Sequence, residues 1–157
     1  MMARAMIDLK EFIDAVAPGV RLLGIDLGAK RIGLAVSDGG RTLTRSLDAL
    51  KRAKFSDDAE KLSRICTEHS IGGIVLGLPL NMDGSFGPSA QSAKAYGVNL
   101  ARALALPVLL FDERLSTFAA EDSMIDAGVS RDKRAARIDS AAASIILQDA
   151  LNALPRS

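Results

Sequence analysis

Apolar positions along this chain follow two periods, and where they change the elements change. Residues 21–27 and 31–37 are short apolar runs joined by the tight Gly28-Ala29-Lys30 turn, which predicts a β-hairpin. Residues 41–50 alternate partially and predict a third strand. A helix follows, with Ser56 as its expected N-cap, Asp57 and Asp58 in its first turn, and Ala59, Leu62, Ile65 and Cys66 at helical spacing. Ile74-Val75-Leu76-Gly77-Leu78 is continuous rather than alternating, the pattern of a strand covered on both faces. After a loop from Pro79 to Pro88, a helix is predicted over 89–105 and a second buried-type strand over 107–111. A helix over 117–127 closed by Gly128, a basic loop from Arg131 to Arg137 and a last helix over 138–153 complete the order. Ahead of all this, Met6, Leu9, Phe12, Ile13 and Val16 predict a short amphipathic helix over 5–16, ending before Pro18-Gly19.

Three strands and then strand–helix alternation require an antiparallel meander joined to a parallel portion: a mixed α/β sheet of five strands. At 157 residues and 48% hydrophobic content the chain suits one domain with a sizeable core. A formal net charge of +1 makes the molecule as a whole no polyanion binder, so nucleic-acid contact must rest on local basic patches. The single cysteine, Cys66, excludes an internal disulfide and reads as a buried structural thiol in a reducing cytoplasm. No apolar run approaches the ~18 residues of a membrane span, and the charged start lacks a signal-peptide core. A cytoplasmic location without membrane contact is expected.

Against this background Asp26 stands out. It lies in an otherwise apolar strand, where a bare carboxylate costs several kcal/mol unless a cation or donors compensate. Gly24 and Gly28 flank it and suggest open space for a metal, a phosphate or a backbone. Glu113 is expected just past the carboxyl end of the fifth strand, and Asp139 in the first turn of the last helix. The small residues Ala141 to Ala143 let that helix pack closely on the sheet; docked beside the first strand, it would bring three carboxylates together. Such a cluster repels itself and is relieved by hard divalent cations, which in pairs support phosphodiester hydrolysis by water. Blander roles compete. Asp139 would favour a helix dipole, Glu113 would pair with Arg114, Asp112 would be a supporting or surface group, and Asp38 a turn residue.

Four segments carry a resemblance: Gly24-Ile25-Asp26-Leu27-Gly28 with Arg31-Ile32-Gly33, Gly77 to Ser85, Asp112 to Thr117, and Ile138-Asp139-Ser140-Ala141-Ala142. In this order and spacing they resemble the YqgF/RuvX family of ribonuclease H-like nucleases, linked to 5′-end processing of pre-16S ribosomal RNA and also described as Holliday junction resolvases. The resemblance spans about 21–152. It implies an α/β, ribonuclease H-like fold with a mixed five-stranded sheet in order 3-2-1-4-5 and helices on both faces. It implies Asp26, Glu113 and Asp139 as an acidic triad binding Mg²⁺ or Mn²⁺, in a nuclease domain over 21–153. Residues 1–20 form an extension outside the resemblance, suited either to core padding or to self-association; monomer and homodimer both stay open.

Lys30 and Arg31 at the first turn, and Arg131, Lys133, Arg134 and Arg137 before Asp139, form two basic groups. They would hold phosphates on either side of the scissile bond if the triad assembles. Aromatics are scarce and mostly at core spacing, which favours backbone or shape recognition over base stacking. The 79–88 loop has the composition of a mobile loop that closes over substrate. The leading expectation is a metal-dependent phosphodiesterase on structured RNA in ribosome biogenesis, with Asp26 bridging two ions. A branched-DNA endonuclease and a non-catalytic nucleic-acid-binding factor are the alternatives. An actin-like ATPase, which shares the Gly-Ile-Asp-Leu-Gly hairpin, needs a second lobe that this chain has no room for.

Overall fold

The computed structural model describes residues 4–115 and 131–155, with the backbone alone for Leu115 and 131–139. Six strands form one sheet: β1 (Ala5–Met6), β2 (Arg21–Leu27), β3 (Arg31–Ser37), β4 (Thr44–Lys51), β5 (Ile71–Leu78) and β6 (Val108–Asp112). The helices are α1 (Leu9–Ala15), α2 (Phe55–Glu68), α3 (Pro88–Leu104) and α4 (Arg131–Ala153). The order across the sheet is β1-β6-β5-β2-β3-β4. β2–β3 and β3–β4 pair antiparallel, while β2–β5, β5–β6 and β1–β6 pair parallel. The expected five-strand order is present, with the two-residue β1 added at one edge.

The continuous apolar runs sit where the sheet is covered on both sides. Leu23, Ile25, Ile74 and Leu76 face a core shared with Leu62 of α2 and Tyr96 and Leu100 of α3. Leu22, Val75, Leu109 and Phe111 face the opposite core, built with Phe12 and Val16 and with Ala143, Ile146 and Leu147 of α4. The N-terminal segment is thus part of the second core, with Phe12 fully buried.

Several boundaries differ from expectation. Residues 5–16 split into β1 and a seven-residue helix capped by Asp8, whose carboxylate accepts from the Glu11 amide. Ser56 does not cap α2: the cap position is Lys54, and the buried Asp58 carboxylate reaches back to accept from the Ala53 amide at 3.0 Å. The basic stretch 131–137 is helix, not loop, because Lys133, Arg134, Ala135, Ala136 and Arg137 are all strong helix formers and no glycine or proline interrupts them. Asp139 therefore lies in the third turn of α4, far from the dipole end that the blander reading required. The helix expected over 117–127 lies outside the described residues.

Candidate active site

Two of the three expected carboxylates meet. Asp26 is the penultimate residue of β2, half-buried near the strand's end rather than at its centre. Glu113 opens a single 3-10 turn directly after β6. β5 lies between those strands, yet the two groups are close enough that the charge of Asp26 is felt at Glu113. Burial first, then Asp26, then Asp112 push Glu113 up to about 7.

Strand alternation explains the convergence. Leu22, Gly24 and Asp26 share one face of β2; Leu109, Phe111 and, by continuation, Glu113 share the same side at β6. That side is covered by α4. Between the two carboxylates, Gly77 of β5 supplies the room: a Cβ there would stand 3.0 Å from the Glu113 carboxyl carbon and 3.1 Å from Ile146. A glycine inside a buried apolar strand is the sequence signal of a close approach of this kind, though the partner at Gly77 is remote in sequence.

The backbone of α4 brings position 139 to the same level. The Ser140 hydroxyl donates to the Leu47 carbonyl at 2.7 Å, the Ser46 hydroxyl donates to the Ser140 carbonyl at 3.1 Å, and Thr44 and Ser144 share a hydroxyl contact of 2.7 Å. The helix thus runs antiparallel to β4. Leu47 is in register with Leu34, and Leu34 with Ile25, so Ser140 lies level with the Ile25–Asp26 end of β2. The Asp139 side chain lies outside the described set, as do those of Arg131, Lys133, Arg134 and Arg137. Among the described residues no group of three or more metal-ligating side chains forms.

Of the occupants expected beside the Asp26 glycines, it is protein backbone and side chain that approach, not a ligand. A Cβ at Gly24 would stand 2.8 Å from the Leu147 Cβ and 3.0 Å from the Ala143 carbonyl oxygen, so this glycine admits α4 against the sheet. A Cβ at Gly28 would meet the Arg31 carbonyl oxygen at 2.8 Å, and the Gly28 amide donates to that oxygen at 2.9 Å; this glycine serves the hairpin turn. Neither clears space for a ligand. Ala143, fully buried, confirms the close packing expected of the small-residue stretch. Lys30 is exposed in the turn, and Arg31, the first residue of β3, is half-buried.

Arg114 does not pair with Glu113. Its guanidinium grips Asp112 with three bonds of 2.7–3.1 Å, and this holds the Asp112 carboxyl below its ordinary range. The same guanidinium donates to the Met82 carbonyl at 3.2 Å, which ties the 79–88 loop to the turn carrying Glu113. Asn81, Asp83 and Ser85 hydrogen-bond to one another within the loop, so this connection is braced rather than loose. Asp38 accepts from the Thr42 and Leu43 amides and is a turn residue, as expected.

The model of the RuvX family, described as Holliday junction resolvase, matches residues 20–153. This chain belongs to the RuvX family. Similar proteins from Bartonella tribocorum (47% identical over 147 residues, 94% of each chain) and Cereibacter sphaeroides (49% over 146 residues, 93% of this chain and 91% of the relative) carry the description "Putative pre-16S rRNA nuclease". The family match begins at residue 20, and the 147-residue alignment also takes in part of the segment before it. The solved RuvC of Thermus thermophilus superposes with a TM-score of 0.51 at 13% identity, covering 85% of this chain and 95% of RuvC. The RuvX fold is therefore ribonuclease H-like, as expected.

Proposed function

We propose that this chain is a divalent-metal nuclease that hydrolyses phosphodiester bonds in structured RNA, the 5′ end of pre-16S ribosomal RNA being the substrate. The observation that carries it is the convergence of Asp26 and Glu113 on the α4 side of the sheet, where burial first and then the charge of Asp26 push Glu113 up. Two facing hard-oxygen donors, one of them resisting ionisation, fit a Mg²⁺ or Mn²⁺ ion, which would remove the repulsion. Asp26 and Glu113, with Asp139 of α4, would hold the ions, two in the form of this chemistry that activates water and stabilises the leaving oxygen. The chain's own residues do the rest. Gly77 lets Glu113 lie across β5, and Arg114 fixes the turn on which it stands. Lys30 and Arg31 on one side and Arg131, Lys133, Arg134 and Arg137 on the other would position the backbone phosphates. The names of the similar Bartonella and Cereibacter proteins support the RNA substrate, and a reduced lone cysteine suits a cytoplasmic enzyme. Cleavage of a four-way DNA junction is the second reading, favoured by the description of the matching family.

One assay tests both. A pre-16S RNA fragment and a four-way DNA junction are incubated with wild type and Asp26→Asn, with Mg²⁺ or Mn²⁺. The expected outcome is metal-dependent RNA cleavage by wild type. Asp26→Asn should lose more than the about 10–100-fold that removal of an outer-shell partner typically costs. Full activity in that variant sinks the site assignment; cleavage of the junction alone selects the second reading.

A further inference from the structure

Among the described aromatics Phe86 stands apart as the exposed one. Phe12, Tyr96 and Phe111 are buried, but Phe86 is 39% exposed at the end of the braced loop. It borders a groove of about 510 Å³ on the outward side of α3, lined by Gln91, Lys94, Ala95, Val98 and Asn99. Those five positions recur at the i, i+3, i+4, i+7, i+8 spacing of one helix stripe. The opposite stripe, Ala90, Ala93, Tyr96, Gly97 and Leu100, is the one that packs in the core. Val98 is 37% exposed, so the groove has an apolar floor open to solvent.

Phe86 is held for use rather than left loose. The Gln91 side-chain amide donates to its carbonyl at 3.3 Å, and the Gln91 backbone amide donates to the Gly87 carbonyl at 3.0 Å. The Lys94 ammonium stands 5.7 Å from the ring centroid. An aromatic face beside a cation, with carboxamides on both flanks, is the composition that takes an unpaired nucleotide: the ring for the base, the ammonium for the phosphate, the amides for base edges. The loop that carries Phe86 is fastened to the turn that carries Glu113. Phe86 follows Ser85, which bonds back to Asn81, and the neighbouring Met82 carbonyl is gripped by Arg114, next to Glu113.

We propose that this groove is a nucleotide-binding subsite, in which an unpaired base of the RNA strand flanking the cleavage position stacks on Phe86 while Lys94 takes the adjoining phosphate. The proposal rests on the nuclease reading above and revises the expectation that the chain lacks a stacking platform.

The chain contains no tryptophan, so Phe86→Trp installs a single tryptophan, selectively excited over Tyr96, as a reporter in the subsite. Titration with a single-stranded RNA oligonucleotide in EDTA, which prevents cleavage, should quench it saturably; an abasic oligonucleotide of equal length should not. Phe86→Ala should weaken binding of the labelled oligonucleotide by about 5–100-fold while Phe86→Trp retains it. Lys94→Gln should reduce the salt dependence by about one phosphate contact. Equal binding by wild type and Phe86→Ala, with an unquenched Trp, overturns the subsite and leaves the nuclease reading standing. Absence of binding of this oligonucleotide by wild type also overturns the subsite, whereas the nuclease reading falls only if the cleavage assay above shows no metal-dependent cleavage of either substrate.

Discussion

Glu113 is the residue whose environment says most about chemistry. Its carboxyl lies beside Asp26 under Ile146 and is pushed up to about 7, so in metal-free protein it holds a proton that the unfolded chain releases well before neutrality. Between the ordinary glutamate value and about pH 7 the folded state binds more protons than the unfolded state. Its stability is therefore fully present at the acid end and declines as pH rises. Urea midpoints in EDTA should fall from about pH 5 to about pH 7.5, more steeply for wild type than for Glu113→Gln. Added Mg²⁺ should restore wild type near neutrality and leave Glu113→Gln less changed; identical profiles for the two proteins would refute the coupling. Cys66 behaves oppositely to a functional group. Burial pushes its thiol up to about 12, so it carries no thiolate at neutral pH and fills core space.

At the scale of elements, the site depends on how three segments are fastened. The sheet supplies Asp26 and Glu113, α4 is drawn down by Gly24 and tied along β4 by Ser140 and Ser144, and the 79–88 loop is held by Arg114. Lysine cannot reproduce a guanidinium that grips Asp112 and the Met82 carbonyl together. Arg114→Lys should therefore speed proteolysis and amide exchange within residues 81–88 several-fold. Because the Arg114–Asp112 pair is solvent-exposed, global stability should hardly change. Unchanged exchange in the loop would show that the brace is not needed.

Element types were legible in the sequence wherever period and burial agree: the hairpin, the two continuous strands, α2 and α3. Ends were not. Charge in 131–137 looked like a solvated loop, yet those residues favour helix and simply extend α4. The glycines around Asp26 were read correctly as close-approach positions, but their neighbours are Leu147 and the Arg31 carbonyl, which only tertiary structure can reveal. Asp26 and Glu113 were legible because charge at the ends of apolar strands is costly. Gly77 and the second role of Arg114 were not, since each depends on a partner remote in sequence.

For the whole molecule, the segment before β2 is core and not ornament. Phe12 is fully buried among Met6, Leu22, Leu109 and Leu151, and a Cβ at Gly73 would stand 3.0 Å from its ring. Phe12→Ala should cost about 3–5 kcal/mol in chemical unfolding, the range for truncating a buried phenylalanine. A loss under about 1 kcal/mol would mean that α1 is detachable.

The position of β5 between β2 and β6 has a consequence for how the protein comes into being. The β2–β3–β4 meander needs only neighbouring chain and can close early, but it carries Asp26 alone. Glu113 joins it only after both parallel pairings have formed, and these link distant stretches at greater loop-closure cost. The acidic pair is thus a late product of folding. If the proposed site is the one that works, a chain still emerging from the ribosome would carry Asp26 without Glu113, and activity would be expected only once the sheet is complete.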